Sequence, residues 1–355
     1  MKKKVLVAMS GGVDSSVAAL LLQEAGYEIA GVTMCLGVRG EEGEHPRCCG
    51  PDAVEDARWV CDKLGIRHYV LDYANELENS VIAPFIREYA RGRTPNPCVV
   101  CNRFLKFGSL LKRAEIFGFD ALATGHYATV EDVAGRYRLR RPRDRRKDQT
   151  YFLYHIEPEA LSRVLFPLAA YTKEEVRAIA SRAGLPVAAK VESQDICFVT
   201  QKTYHDFLRR RLGEVKPGTI IDRQGRRLGS HQGIAFYTIG QRGGLGISHP
   251  VPLYVLAIDA QKNQLVVGEK RELMGRELIA GDLNLFRSDW PEVVQAKIRY
   301  RKKESPCRLV FKDRRAQVIF EESQEAITPG QSVVFYEQDE VLGGGVIEEV
   351  IHGDC

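Results

Sequence analysis

Lys3-Lys4-Val5-Leu6-Val7-Ala8-Met9-Ser10-Gly11-Gly12-Val13-Asp14-Ser15-Ser16 places a short apolar run, a Gly-Gly turn and a group of hydroxyls in one stretch near the start of the chain. Residues 3–9 read as a strand with a buried apolar centre. Residues 17–25, rich in Ala and Leu, read as a helix that ends before Gly26. Strand, glycine turn and helix together make an oxyanion site. Gly11 and Gly12 let the backbone turn tightly and approach a ligand with no side chain between. The first N–H groups of the helix lack internal partners and carry the positive end of its dipole. Ser10, Ser15 and Ser16 add hydroxyls, and Asp14 suits a Mg²⁺ ion riding on the anion. No Gly-Lys-Ser/Thr follows, so the lysine-bearing phosphate loop of ATPases is excluded.

Around this stretch the composition is that of a globular protein. The 355 residues allow two or three domains with cores of their own, at 44% hydrophobic and 28% charged. No apolar run approaches the roughly 18 residues of a membrane span. The basic Met1-Lys2-Lys3-Lys4 leads too quickly into the Gly-Gly turn for a signal peptide. Nine cysteines without an export signal point to a reducing cytoplasm and to thiol chemistry rather than a disulfide framework. The net charge of +4 permits a nucleic-acid partner without requiring one.

Further along, residues 28–34 read as a second strand, putting Met34 at a carboxyl edge. There it either covers a nucleotide base or fills the core. The loop with His45, Cys48 and Cys49 fits zinc poorly, because zinc sites use spaced ligand pairs. Residues 52–64 and 77–91 read as helices, and 68–72 as a third strand. A strand at 121–124 runs into Gly125-His126-Tyr127 at the same edge. Gly125 suits close approach to a nucleotide. His126 either contacts a phosphate or base or caps the strand.

Two segments carry reactive thiols. Thr94-Pro95-Asn96-Pro97-Cys98-Val99-Val100-Cys101-Asn102 precedes a helix read near 103–117, with Arg93 and Arg103 close by, a setting that favours thiolate. For Cys98 and Cys101 a nucleophile and an iron–sulfur cluster remain as readings. Zinc lacks a second pair, and a redox pair lacks its βαβ setting. Cys197, in Ile196-Cys197-Phe198, lies among apolar neighbours. Between the two segments, residues 136–147 hold eight Arg or Lys in twelve and lead into Lys147-Asp148-Gln149-Thr150-Tyr151-Phe152, a basic and aromatic stretch suited to RNA. Thr172-Lys173-Glu174-Glu175 is a capping box. Residues 203–212 form a basic helix. Beyond 216 short strands and tight turns predict small β modules, with strands near 218–228, 254–268, 295–301, 307–312, 316–320, 332–336 and 342–350. The basic residues 297–303 and Gln331 are candidate RNA contacts. The expected architecture is therefore α/β: an N-terminal parallel-sheet domain (1–199), a small central module (200–275) and a C-terminal β-barrel (276–355).

Ser-Gly-Gly-Val-Asp-Ser after an apolar strand resembles the pyrophosphate loop of the N-type ATP pyrophosphatases. Over nearly its whole length the chain resembles the MnmA-type tRNA-specific 2-thiouridylases. The resemblance is carried by that loop, Thr94-Pro-Asn-Pro-x-x-x-Cys101-Asn, Thr124-Gly-His-Tyr-Ala128, Lys147-Asp-Gln-Thr-Tyr-Phe-Leu153, Ile196-Cys197-Phe198, Thr238-Ile-Gly-Gln-Arg242, and Phe335-Tyr with Leu342-Gly-Gly-Gly345. It implies ATP with Mg²⁺, and ATP contacts at Ala8, Met9, Ser10, Gly11, Gly12, Val13, Asp14, Ser15, Met34 and Gly125. It implies tRNA contacts at Asn96, Pro97, Cys98, His126, Lys147, Asp148, Gln149, Arg299, Tyr300 and Gln331. The implied reaction adenylates the C2 oxygen of a wobble uridine and replaces it with sulfur. Cys197 would carry the persulfide and Cys101 would act as nucleophile or form a disulfide with Cys197. A persulfide carrier protein or cysteine desulfurase would supply the sulfur.

Four positions depart from the family pattern. Cys98 stands where Asp is usual, Gln194-Asp195 where Thr-Gly is usual, and Gly243 where Lys is common. The extra thiol makes Cys98, Cys101 and Cys197 an alternative three-cysteine ligand set for a [4Fe-4S] cluster. An amidotransferase or ligase of the argininosuccinate synthase kind would need neither the thiols nor the basic hairpin. An RNA-binding module without chemistry would need neither the loop nor the cysteines.

Overall fold

The computed structural model describes residues 2–37, 51–190, 196–199 and 203–351. His45, Cys48, Cys49, Gln194 and Asp195 lie outside them. The chain divides into two compact units. One comprises Met1–Val81, Cys98–Gln201 and Asp339–Val341; the other comprises Ile82–Pro97, Lys202–Gln338 and Leu342–Cys355.

The elements follow in chain order as β1 (Lys4–Ala8), α1 (Val13–Glu24), β2 (Glu28–Cys35), α2 (Pro51–Leu64), β3 (His68–Asp72) and α3 (Ala74–Leu77). A π-helical stretch, Glu78–Ile82, leads into α4 (Ala83–Ala90). Next come α5 (Pro97–Cys101), a second π-helical stretch (Asn102–Leu110) and α6 (Leu111–Ile116). They are followed by β4 (Ala121–Ala123), β5 (Thr129–Val133), β6 (Arg136–Arg140), β7 (Val164–Leu165) and α7 (Lys173–Arg182).

In the first unit β3-β2-β1-β4-β7 form one parallel sheet, with Val5 paired to Ile29 on one side and Ala121 on the other. Val5, Leu6 and Val7 are all fully buried, since a central parallel strand is covered on both faces. α1, α2 and α7 add Val17, Ala18, Ala57, Val60 and Val176 to the core. The carboxyl ends of β1, β2 and β4 carry Ser10, Met34 and Gly125 to one edge of the sheet, as expected for a ligand edge.

Two helix starts differ from the sequence reading. α1 begins at Val13, not near 17, because Gly12 is its N-cap and Asp14, Ser15 and Ser16 form its first turn. Poor helix formers are stabilised there because the Ser15 and Ser16 hydroxyls donate back to the Gly12 carbonyl at 3.2 and 2.8 Å. The helix expected near 103 starts at Pro97, a residue suited to a first helical position because it needs no amide hydrogen bond there.

In the second unit, α4 packs against α8 (Tyr204–Leu212), with the Phe85 and Phe207 rings 6.3 Å apart. β8 (Gly218–Ile221), β9 (Arg227–His231), β10 (Tyr254–Asp259) and β11 (Gln264–Gly268) make a four-stranded sheet in the order β10-β11-β8-β9. The remaining strands are β12 (Met274–Leu285), β13 (Val294–Lys297), β14 (Ser305–Lys312), β15 (Arg315–Glu325), β16 (Ser332–Glu337) and β17 (Glu340–Ile351). They run β12-β15-β14-β13-β16-β17, and pairing of β12 with β17 closes a six-stranded barrel. Leu278, Val318, Phe320, Val333, Phe335 and Leu342 fill it. The long strand β12 lies outside the strands expected from sequence. Gly275, Gly281 and register shifts against both neighbours break its alternation.

Candidate active site

The Ser10–Gly12 turn is stiff. Gly11 has φ +69°, and a Cβ there would lie 2.3 Å from the Ala53 carbonyl oxygen. The Ser15 hydroxyl bolts the turn from within, accepting from the Ser10 amide at 3.2 Å and donating to the Gly12 carbonyl. No side chain caps α1, so its first N–H groups face the turn. Gly125 sits against this helix end, where a Cβ would be 2.6 Å from the Ser15 nitrogen. The loop thus has the backbone donors and clearance that an anion needs.

Asp14 is the charged centre of the loop. Lys173, whose side chain is buried, places its ammonium 2.7 and 2.8 Å from the two Asp14 oxygens. The Tyr127 hydroxyl donates to Asp14 Oδ1 at 2.9 Å. Gln149 holds Tyr127 in turn: its Oε1 accepts from the Tyr127 amide at 2.9 Å, and its own amide donates to the Tyr127 carbonyl at 3.0 Å. Lys190 donates to the Gly11 carbonyl at 3.0 Å and pairs with Asp56. The cations beside the loop thus come from residues far along the chain and not from the motif itself. Lys173 lies 159 positions from Asp14, concealed in a capping box, and no sequence signal assigned a role to it, to Tyr127 or to Lys190.

The other expected nucleotide residues fall near the same edge. Ala8, Gly12 and Met34 are half-buried and Ser10 is exposed, whereas Met9 and Val13 are buried core residues. Met9 joins β2 through its amide, which donates to Val32 at 2.7 Å, and its carbonyl, which accepts from the Thr33 hydroxyl at 3.0 Å. His126, half-buried, has Nδ1 2.7 Å from the Thr124 hydroxyl and lies between Phe107 and Phe166. Burial, and secondly the Lys106 ammonium, hold its pKa well below the ordinary histidine value, so the ring is neutral at neutral pH.

Cys98 is exposed and Cys101 half-buried, one helical turn apart on α5, and Cys197 is half-buried. Next to Cys101, Asn102 is buried; its Nδ2 donates to the Phe152 carbonyl at 3.0 Å. Among the described residues no three His, Cys, Asp or Glu side chains gather as a metal site. The iron–sulfur alternative for Cys98, Cys101 and Cys197 is therefore not favoured. Cys61 and Cys307 are inert: burial pushes both thiols up to about 12.

The basic stretch is more self-neutralised than its sequence implies. Arg138 pairs with Glu340, Arg140 with Glu131, Arg143 with Glu175, Arg145 with Asp339 and Arg146 with Glu174. Lys147 is half-buried. Asp148 is buried and accepts from the Thr150 amide and hydroxyl at 2.9 and 2.6 Å, with Arg141 3.6 Å away. In the second unit Asn96 is half-buried and Pro97 buried. Arg299, Tyr300 and Gln331 are half-buried, and the Lys297 ammonium lies 5.7 Å from the centre of the Tyr300 ring. Gln331 donates to the Thr94 carbonyl at 2.9 Å.

Comparison with known proteins places these residues in a family. Residues 3–201 match the tRNA methyl transferase HUP domain family, 205–269 the tRNA methyl transferase PRC-barrel domain and 275–347 the aminomethyltransferase beta-barrel domain. The chain is 59% identical over 352 residues to tRNA-specific 2-thiouridylase MnmA 1 of Syntrophus aciditrophicus, covering 99% of this chain and 94% of that one. It is 52% identical to tRNA-specific 2-thiouridylase MnmA of Carboxydothermus hydrogenoformans, covering 98% of each. It is 49% identical to that of Clostridium botulinum, strain Alaska E43, covering 99% of each. With this identity along nearly all of both chains, and with family matches over all three segments, the chain belongs to the MnmA family of tRNA-specific 2-thiouridylases, enzymes of tRNA sulfur transfer.

Proposed function

We propose that this enzyme replaces the C2 oxygen of a tRNA wobble uridine with sulfur, using ATP to turn that oxygen into a leaving group. The observation that carries the reading is the bare amino end of α1 behind a rigid Ser-Gly-Gly turn, with Asp14 and Lys173 beside it. The turn holds the β and γ phosphates while the uridine C2 oxygen attacks the α-phosphorus and pyrophosphate departs. Asp14 is the carboxylate that would hold Mg²⁺, which offsets phosphate charge when bound. Lys173 balances Asp14 and stands within reach of the same charge. Gly125 leaves room for the nucleotide, and Met34 covers the base.

The sulfur step falls to the thiols. A persulfide on Cys197, loaded by a sulfur-carrier protein or cysteine desulfurase, attacks C2 through its terminal sulfur, and AMP leaves with the former C2 oxygen. The Cys101 thiolate then attacks the Cys197 sulfur. The S–S bond breaks, thiouridine is released and a Cys101–Cys197 disulfide forms, which a dithiol reductant returns to two thiols. Asn96, Pro97, Cys98, His126 and residues 147–149 meet the extruded base and its neighbours. Residues 1–199 supply the chemistry. The 200–275 module and the 276–355 barrel hold the tRNA, with Arg299, Tyr300 and Gln331 near it. No described helix is long and apolar enough to cross a membrane; the persulfide route requires a reducing compartment, which the cytoplasm provides. Cys101→Ser tests the assignment: thiolation should vanish while tRNA binding persists, and unchanged thiolation would remove Cys101 from the mechanism.

A further inference from the structure

Thr94-Pro95-Asn96-Pro97 leads directly into α5, and two of its four residues are prolines without an amide hydrogen. Such a stretch cannot fix its own conformation by backbone hydrogen bonding. In the second unit it is fixed from outside. The Thr94 amide donates to the Pro329 carbonyl at 3.0 Å, and the Thr94 carbonyl accepts from Gln331 Nε2 at 2.9 Å. Gly330, at φ +92°, lies under the Thr94 backbone; a Cβ there would meet three Thr94 backbone atoms at 2.9–3.0 Å.

These contacts form part of a closed circuit. The Thr94 hydroxyl donates to the Thr238 hydroxyl at 3.2 Å. The next carbonyl, of Ile239, accepts from Arg299 Nη2 at 3.3 Å. The same nitrogen reaches the Ala326 carbonyl at 3.0 Å and the Thr328 hydroxyl at 2.6 Å. The Thr328 carbonyl accepts from the Gln331 amide at 3.2 Å, and Gln331 returns to Thr94. Three segments distant in sequence are thereby locked around one loop.

We propose that Gln331, Arg299 and Thr238 are positioning residues for sulfur transfer: their circuit sets the backbone at Thr94 and Pro95, and through it the first turn of the helix that bears Cys98 and Cys101. Both Arg299 and Gln331 thus act on the site in the absence of RNA, whatever they meet when it binds. The proposal rests on the reading of Cys101 as a reactive thiol, and its primary test needs neither ATP nor tRNA.

The experiment follows iodoacetamide alkylation of Cys98 and Cys101 in the full chain, free of nucleotide and RNA, between about pH 6 and pH 9, by mass spectrometry. Gln331→Ala, Gln331→Glu and Thr238→Val are compared with the unmodified protein. Cys307, fully buried in the barrel core, reports whether the barrel stays folded. The expected result is a change of about threefold or more in the alkylation rate or a displaced pH profile at Cys98 or Cys101, with Cys307 unreactive. In turnover at saturating tRNA, kcat should fall by about tenfold. An unchanged alkylation profile with a raised KM for tRNA would make these residues RNA contacts only and overturn the proposal. If Gln331→Ala exposes Cys307, the other two variants decide by the same criteria, and unchanged profiles in both overturn it. Failure of the nucleophile reading itself would appear separately, as thiolation surviving in Cys101→Ser.

Discussion

At Gly11, left-handed backbone and a carbonyl 2.3 Å from any added Cβ coincide, whereas at Gly12 the nearest atom would be the Ser10 hydroxyl at 3.4 Å. Neighbouring glycines in one motif therefore answer to different constraints. Gly11→Ala should destabilise the first unit by about 2–3 kcal/mol and abolish pyrophosphate release. Gly12→Ala should cost less, about 1 kcal/mol, since an ordinary contact is added and alanine replaces glycine at the N-cap of α1. Urea unfolding of the two variants checks this, and equal losses would contradict the geometry. Lys173→Met leaves Asp14 its hydrogen bond from the Tyr127 hydroxyl and removes a cation from the loop. Its expected signature is a fall in ATP-dependent pyrophosphate release of about a hundredfold, with tRNA affinity unchanged. A variant that releases pyrophosphate at the original rate would remove Lys173 from the site. None of this could be read from Ser10–Ser16 alone. The motif fixes which backbone donors exist, but the charges that complete the site arrive from α7 and from Lys190, and long-range pairing leaves no local pattern.

Among the elements, α7 was the most legible, because its start signal is local. Thr172 accepts from the Glu175 amide at 3.3 Å and Glu175 returns to the Thr172 amide at 2.8 Å, as the capping box requires. The same cap fixes the residue next to it, Lys173. Thr172→Ala should cost about 1 kcal/mol in stability and also raise KM for ATP; a stability loss with KM for ATP unmoved would separate the cap from the site. α5 was misread for an equally local reason. Two prolines and an asparagine signal a turn, and Pro97 then serves as the first residue of a helix. β12 was missed because glycines and bulges interrupt the two-residue period on which strand recognition depends. The basic hairpin is legible as a hairpin, whereas the ion pairs of its arginines are not. Arg140 pairs with Glu131 on the hairpin's own β5, but the other acidic partners lie on α7 and at residues 339–340, far along the chain.

For the whole molecule, the parallel sheet and the barrel follow from hydrophobic period and turn spacing, while histidine protonation follows from burial. His68, His126, His205 and His231 all have lowered pKa values, in each case chiefly through burial. His231 is buried, and its neutral ring is fully partnered: Nδ1 accepts from the Gly233 amide at 3.0 Å while Nε2 is 3.1 Å from the Asn263 carbonyl. A folded pKa below the unfolded value of about 6.5 means that the unfolded chain takes up protons first as pH falls. The stability held by these rings is complete above about pH 6.5 and is lost progressively below it. The urea midpoint should therefore drop between about pH 7.5 and pH 5.5. The carboxylates with lowered pKa values titrate in a separate, more acidic range. A midpoint that stays level or rises over that interval would contradict the assignment of neutral buried histidines.

The central claim is that sulfur reaches C2 by a cysteine persulfide route using Cys101 and Cys197, with ATP activating the oxygen. The most direct measurement is thiolation of tRNA by anaerobically purified protein of measured iron and sulfide content, supplied with ATP, Mg²⁺ and a persulfide donor. The account predicts that iron-free protein forms 2-thiouridine, releases one AMP and one pyrophosphate per sulfur transferred, and loses activity in Cys101→Ser and Cys197→Ser while Cys98→Ala retains it. Thiolation that appears only with stoichiometric iron and sulfide, and disappears together with that iron in Cys98→Ala, would contradict it.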